Sequence, residues 1–160
     1  MTSRGDDHYY TLNGNDANLR GFGYRDEGVV GLAFAKDQPE LSLVGIYRYY
    51  NKDTNDHWFT KNYPGMESVA NNKGYVLEDK NPSFYLFAYS MGCDTIPVYQ
   101  WLNNTDHFLT TDGTGELAPM LQYGSGGRLE YQGIVGYVFP STAEVKGTRV
   151  PLYRYYRPVQ

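Results

Sequence analysis

Every histidine of this chain follows an aspartate. Asp7-His8-Tyr9-Tyr10-Thr11, Asp56-His57-Trp58-Phe59-Thr60 and Asp106-His107-Phe108-Leu109-Thr110 repeat one phrase, with 49 positions from His8 to His57 and 50 from His57 to His107. A carboxylate can orient an imidazole and raise its basicity, as in hydrolase triads and in histidine metal ligation. Neighbouring residues on a strand face opposite ways, however, so Asp56 and His57 are not expected to bond side chain to side chain. The aspartates are expected instead to cap the turns before them. No Gly-x-Ser-x-Gly elbow accompanies the phrases, and Cys93 has no histidine near it in sequence. The phrase therefore reads as structural or ligand-positioning, with no catalytic residue assigned.

Metal chemistry gives a weaker reading. Three histidines converging on a threefold axis would offer a three-nitrogen site. Zinc sites on single strands usually show two closely spaced ligands, and none occurs here, so no metal or cofactor is expected. Asn51-x-Asp53-x-Asn55 faintly echoes a calcium loop but lacks its glycine and terminal glutamate. Asn103-Asn104-Thr105 is formally a glycosylation acceptor and is read only as a loop.

A period near 50 residues indicates a repeat architecture. An aromatic strand precedes each phrase: Ile46–Tyr50, Val98–Leu102 and Leu152–Tyr156. A glycine-containing segment follows each: Gly23–Gly28 leading to Phe34, Gly74–Glu78 leading to Phe87, and Tyr131–Gly133 leading to Phe139. The chain opens on an Asp-His phrase with no aromatic strand before it, and closes on an aromatic strand with no such phrase after it. The two ends supply one unit between them, which predicts a closed ring free of open edges. The units are about 46–97, 98–151 and 152–160 plus 1–45, the last called the split unit below, all within one domain spanning 1–160. For unit 46–97 the expected strands are 46–50, 57–60, 74–78 and 84–88, with a helical turn at Met66–Ala70. Asn-, Asp- and Gly-rich connectors separate them. The prediction is an all-β, pseudo-threefold β-trefoil-like ring with strand exchange between the termini; a three-bladed propeller-like ring is the alternative.

Two polar positions travel with the repeat. Arg48, Gln100 and Arg154 recur in the aromatic strands, and Glu27, Glu78 and Gln132 before the last strand. Arg–Glu pairing would tie units together. With one position broken at the second copy and the other at the third, such pairing is complete only in some units.

Composition bounds the rest. A net charge of -4 over 160 residues argues against nucleic acid, which demands clustered Lys and Arg. One cysteine allows no internal bridge, and no apolar run reaches the length of a membrane span. No signal peptide is visible at the N-terminus, which leaves cytoplasmic and secreted locations open. Seventeen tyrosines and eighteen glycines suit strands and recognition surfaces.

The Tyr-Arg-Tyr-Tyr, Asp-His-aromatic-x-Thr and Glu-Gly phrases resemble an uncharacterised repeat family of bacterial and fungal proteins. That family typically carries three tandem units and sometimes sits beside hydrolase domains. The resemblance runs from His8 to Tyr156 and implies a scaffold without an assigned activity. The middle copy departs from it at Gln100, Trp101 and Asp79. In architecture the chain is also similar to small fungal trefoil lectins.

These features favour a non-catalytic carbohydrate-binding protein with up to three weak sites. A sugar presents an apolar face and a set of hydroxyls, which an aromatic ring and nearby polar groups can meet. The candidate ligand residues are Asp7, His8 and Tyr9; Asn55, Asp56, His57 and Trp58; and Trp101, Asn103, Asn104, Asp106 and His107. Glycans or glycoproteins are the expected partners, without nucleic acid or membrane insertion, and homodimerisation is left open. The alternative is a defence-type protease inhibitor or toxin working through loops such as Tyr63–Met66 or Pro119–Leu121. A hydrolase stands third.

Overall fold

The computed structural model describes residues 6–61, 71, 73–103, 105–112 and 129–158. The expected turn at 66–70, the glycine-rich stretch 124–127, both candidate inhibitor loops and Asn104 lie outside these residues. Ten strands form in chain order: β1 (Asp7–Thr11), β2 (Arg25–Phe34), β3 (Leu43–Asn51), β4 (Asp56–Thr60), β5 (Val76–Leu77), β6 (Phe84–Phe87), β7 (Ile96–Asn103), β8 (Asp106–Thr110), β9 (Leu129–Val138) and β10 (Arg149–Arg157). One α-helix, α1 (Ala17–Gly21), is present among the described residues. Asp16 caps it by accepting from the Leu19 N–H, as short acidic residues at N-caps do. The protein is all-β.

Each aromatic strand is the middle member of its unit. β10 pairs with β1 on one side and β2 on the other. β7 stands likewise between β8 and β9, and β3 between β4 and the pair β5 and β6. The chain ends therefore do complete one unit: Tyr9 lies opposite Tyr155, and Asp7 opposite Arg157. β3 and β10 share the same burial pattern along their nine residues, which is the repeat expressed as packing. The hydrogen-bonded path runs β1-β10-β2-β6-β9-β7-β8, with β3 branching from β6, and does not close on itself.

Units meet through their last strands. Phe34 pairs with Tyr85, Phe87 with Tyr137, and Leu32 bridges to Phe139. The Phe34 and Phe87 rings meet edge to face at 5.2 Å, and Phe87 and Phe139 at 5.4 Å. The core beneath is built from corresponding positions, including Tyr10, Phe59 and Leu109 from the Asp-His strands and Ile46, Val98 and Leu152 from the aromatic strands. Tyr10 also reaches the Leu109 backbone, donating to its carbonyl at 2.7 Å and accepting from its N–H at 2.6 Å. A buried hydroxyl thus finds both partners in another unit.

The last strand differs between units because of one glycine. Gly28 and Gly133 have φ of 98° and 102°, in the region that favours glycine, and each lies at a register shift against β10 or β7. There β2 and β9 bulge and continue for ten residues. Unit 46–97 has Asp79 at the same place, where its side chain accepts from the Asn81 N–H and begins a turn. Pro82 follows with no N–H for a ladder. The expected strand 74–78 shrinks to β5, and the ladder resumes at β6.

Candidate functional site

Strand alternation separates Asp from its neighbouring His, but each Asp finds the His of the next unit. Asp7 accepts from the backbone N–H of His57 at 2.7 Å, and its other oxygen lies 2.6 Å from Nδ1 of that ring. Asp56 holds His107 in the same way, at 2.9 and 2.6 Å. Asp106 holds His8 at 3.1 and 2.5 Å, which completes the circuit. Tyr24 donates a further hydrogen bond to Asp7, and Tyr75 to Asp56. The expectation that the aspartates cap turns is corrected: all three are buried, and Asn51 caps its turn by accepting from the Asp53 and Thr54 N–H groups. The group that converges where the three units meet is not the imidazoles. Carboxylates converge there, with oxygens of Asp7, Asp56 and Asp106 within 4.8 Å of one another.

A trio of carboxylates is repulsive unless donors or protons offset it. Here each carboxyl has one oxygen accepting from a backbone N–H and the other within 2.6 Å of a ring Nδ1, so partners surround all three. Burial first, then the nearby Asp106, pushes Asp56 well above the usual carboxylate range. Asp106 is raised by burial although His8 opposes it.

The histidines diverge accordingly. Burial pulls His8 down, but Asp106 and Glu27 outweigh it and raise the group to about 9. His57 is raised by Asp7 and Glu78 against the same burial. His107 falls to about 3, from burial and the nearby Lys73. Its Nδ1 lies as close to a carboxyl as those of the other two, but burial disfavours charge on Asp56, and Gln132 holds the sequence position at which Glu27 and Glu78 face the other two rings.

The outer nitrogens of the rings face the second recurring pair. His57 Nε2 lies 3.3 Å from Glu78, which accepts from Arg48 Nε at 2.8 Å. His8 Nε2 lies 3.5 Å from Glu27, which accepts from Arg154 at 2.9 Å. Both breaks in the Arg–Glu pattern fall in one unit: Gln100 donates to Gln132 at 2.8 Å. The two substitutions replace an ion pair by a neutral amide pair, and the pairing is complete within every unit rather than interrupted in two. The glycine bulge sits immediately after Glu27 and after Gln132, at the point where each side chain turns toward its partner.

Each phrase aromatic packs on the histidine of the next unit: Tyr9 on His57 at 4.8 Å, Trp58 on His107 at 4.6 Å and Phe108 on His8 at 5.5 Å. A cleft opens at each of these junctions. Between the split unit and unit 46–97 it measures about 450 Å³, with Tyr9, Phe22, Tyr50, Asn55, His57 and Glu78 in its lining. Between unit 98–151 and the split unit it is about 260 Å³ and includes Glu27, Thr110, Asp112 and Arg154. Between units 46–97 and 98–151 it is about 200 Å³ and includes Trp58, Lys61, Lys73, Gln100 and Gln132.

Of the sequence-derived ligand residues, Tyr9, Asn55 and His57 come together in the largest of the three junction clefts, and Trp58 lines the smallest. Asp7, Asp56, Asp106, His8 and His107 are buried in the circuit and are not among the described lining of the three clefts. Trp101 packs against Tyr131 at 4.9 Å, away from these lining sets. Asn103 ends β7 opposite Leu129. The sequence reading passed over Phe22, which is 69% exposed at the mouth of the largest cleft, and Asp16 and Asn18 beside it. Their only sequence signal is a polar connector following an Asp-His strand.

No helix of the described residues is long and apolar enough to cross a membrane. No curated protein matches the chain, and no solved structure does. Residues 1–139 match the family described as a domain of unknown function, DUF5648. That span takes in all three Asp-His phrases, while β10, which completes the split unit, lies beyond it. With most of its length covered by the match, the chain belongs to the DUF5648 family.

Proposed function

We propose that this protein is a non-catalytic carbohydrate-binding module, built as a pseudo-threefold closed ring whose sites are the clefts between units. The observation that carries the reading is the composition of the largest junction cleft. Half-buried Tyr9 and Tyr50 and exposed Phe22 supply apolar ring faces, and Asp16, Asn18, Asn55 and Glu78 supply donors and acceptors around them. That pairing suits a pyranose, which has C–H faces and a rim of hydroxyls. Its volume lies in the range of small-molecule sites. Repetition of related clefts around a ring would raise avidity on a dense glycan surface.

The engagement of His57 supports a non-catalytic role. Nδ1 is held by Asp7 and Nε2 faces Glu78, so neither nitrogen is free to accept a substrate proton. The strand path stays open, and the support for a ring is the side-chain circuit, in which Asp7 to His57, Asp56 to His107 and Asp106 to His8 returns to its start. Trefoil-like wrapping of the three units is the arrangement we adopt for it. A glycan array probed with the full chain tests the function. Binding to a defined set of neutral or acidic glycans, weakened by Phe22→Ala, is the expected result. Silence on the array together with no agglutination of glycan-coated beads would contradict it.

A further inference from the structure

The three junction clefts share a frame but differ in charge. The largest carries Asp16 and Glu78 beside Arg157, and the cleft next to Arg154 carries Glu27 and Asp112. The cleft between units 46–97 and 98–151 holds Lys61 and Lys73 with Gln100, Gln132, Thr60 and Trp58, and no carboxylate is among its described lining. In a chain of net charge -4, this is a local reversal of sign.

The reversal has a structural origin. At the other two junctions a Glu accepts from an Arg, and a ligand carboxylate there would meet a fixed negative charge. Here Gln132 takes the place of that Glu, and its Oε1 is occupied by Gln100. Both amide N–H groups of Gln132 remain as donors, and its oxygen carries no formal charge to repel a ligand carboxylate. Lys61 is anchored across the junction, donating to the Ile134 carbonyl at 3.3 Å, which leaves further ammonium protons for a ligand. Lys73 stands on the exposed rim. Trp58, stacked on His107 at an interplanar angle of 17°, gives the cleft an apolar wall. At about 200 Å³ the space is below the range for drug-sized ligands and suits a single small group.

We propose that this cleft is an anionic-sugar subsite, in which Lys61 and Lys73 take the carboxylate of a uronic acid residue and Gln132 donates to a neighbouring oxygen. The inference rests on the glycan-binding reading and specifies the class of sugar for one of its three clefts. Substitution of the Arg–Glu pair by Gln100 and Gln132 is then what changes the specificity of this junction.

The test is an NMR titration of the isotope-labelled full chain in low-salt buffer with three probes. These are a mixture of glucuronate and galacturonate, a mixture of glucose, galactose, mannose and N-acetylglucosamine, and acetate. The uronates are expected to shift the backbone amides of Lys61, Lys73 and Gln132. Lys73→Gln should weaken them about tenfold, as loss of one charged contact does, whereas Lys73→Arg retains them. Uronate shifts confined to the other two clefts, or unchanged uronate binding by Lys73→Gln, would overturn the inference. In either case neutral-sugar shifts around Tyr9 and Glu78 would leave the broader glycan reading standing. Acetate binding as tightly as the uronates would overturn the assignment to a sugar. No response to either sugar mixture would overturn both readings.

Discussion

Asp7 grips His57 twice, once at the backbone N–H and once at the ring, although 50 residues separate them. The same double grip joins Asp56 to His107 and Asp106 to His8, so one three-term circuit fixes the relative position of all three units. The carboxylate, not the imidazole, is the inward member. That arrangement accounts for an Asp-His phrase repeated three times without any nucleophile beside it.

Asp106→Asn is expected to destabilise more than Asp56→Asn. The first leaves a buried, protonated His8 without its counter-charge, and breaking such a pair costs about 3–5 kcal/mol. The second replaces a carboxyl whose charged form burial disfavours, beside a His107 that burial holds neutral. Urea unfolding at neutral pH should give the larger loss for Asp106→Asn; equal losses would contradict the assigned charge states.

Stability should also fall on both sides of neutrality, for different histidines. The folded value of His8 is about 9, above its ordinary 6.5, so its contribution is full below 6.5 and is lost as pH rises through 9. His107 is depressed to about 3, so its contribution is present above 6.5 and is lost as pH falls from 6.5 toward 3. Glu27 and Glu78, lowered by their His and Arg partners against the effect of burial, add to the acid loss below about 4.5. Denaturant midpoints measured from pH 4 to pH 10, chosen as about the range these groups span, should show the alkaline decline reduced in His8→Gln and retained in His107→Gln.

Gln100→Arg with Gln132→Glu should convert the neutral junction to the charged type. An NMR pH titration is expected to show His107 rising from about 3 toward the behaviour of His8. Gln132→Glu alone should lower stability, since it places a carboxylate beside Gln100 without the guanidinium. No movement of His107 in the double variant would show that the outer pair does not control the ring.

Gly133→Ala should cost about 1–2 kcal/mol, because φ of 102° is unfavourable for any residue with a Cβ. Gly21→Ala is the control. It ends α1 with open space around its Cα, and it should be neutral or gain a few tenths of a kcal/mol. Chemical denaturation distinguishes the two.

Much of this was legible in the sequence. The period followed from the three Asp-His phrases, and the pairing of the two termini from Asp7–Thr11 and Leu152–Tyr156; that the aromatic strand lies in the middle of each unit is a matter of pairing that chain order does not reveal. Asp and His were rightly separated by strand alternation, but alternation is a local rule and says nothing of the residue a neighbouring unit brings near. The link from Asp7 to His57 is a tertiary contact, and so the aspartates were assigned to turns. Likewise Gln100 and Gln132 looked like independent departures until pairing placed them in contact. Asp79 was visible as an anomaly at a glycine position. Its consequence, a strand split into β5 and β6, depended on the positive φ that Gly28 and Gly133 adopt. Phe22 carries no repeat signal, because it lies in a connector that differs from unit to unit.

The central claim is that the Asp-His circuit is scaffold and the junction clefts bind. Parallel thermal melts and glycan-binding curves for Phe22→Ala and His57→Ala test it most directly. Phe22 is exposed and outside the core clusters, so Phe22→Ala should melt like the parent chain and lose glycan binding. His57→Ala should melt well below the parent, with binding lost only as folding is lost. The opposite pattern, an unaltered melt with selective loss of glycan in His57→Ala and intact binding in Phe22→Ala, would contradict the account.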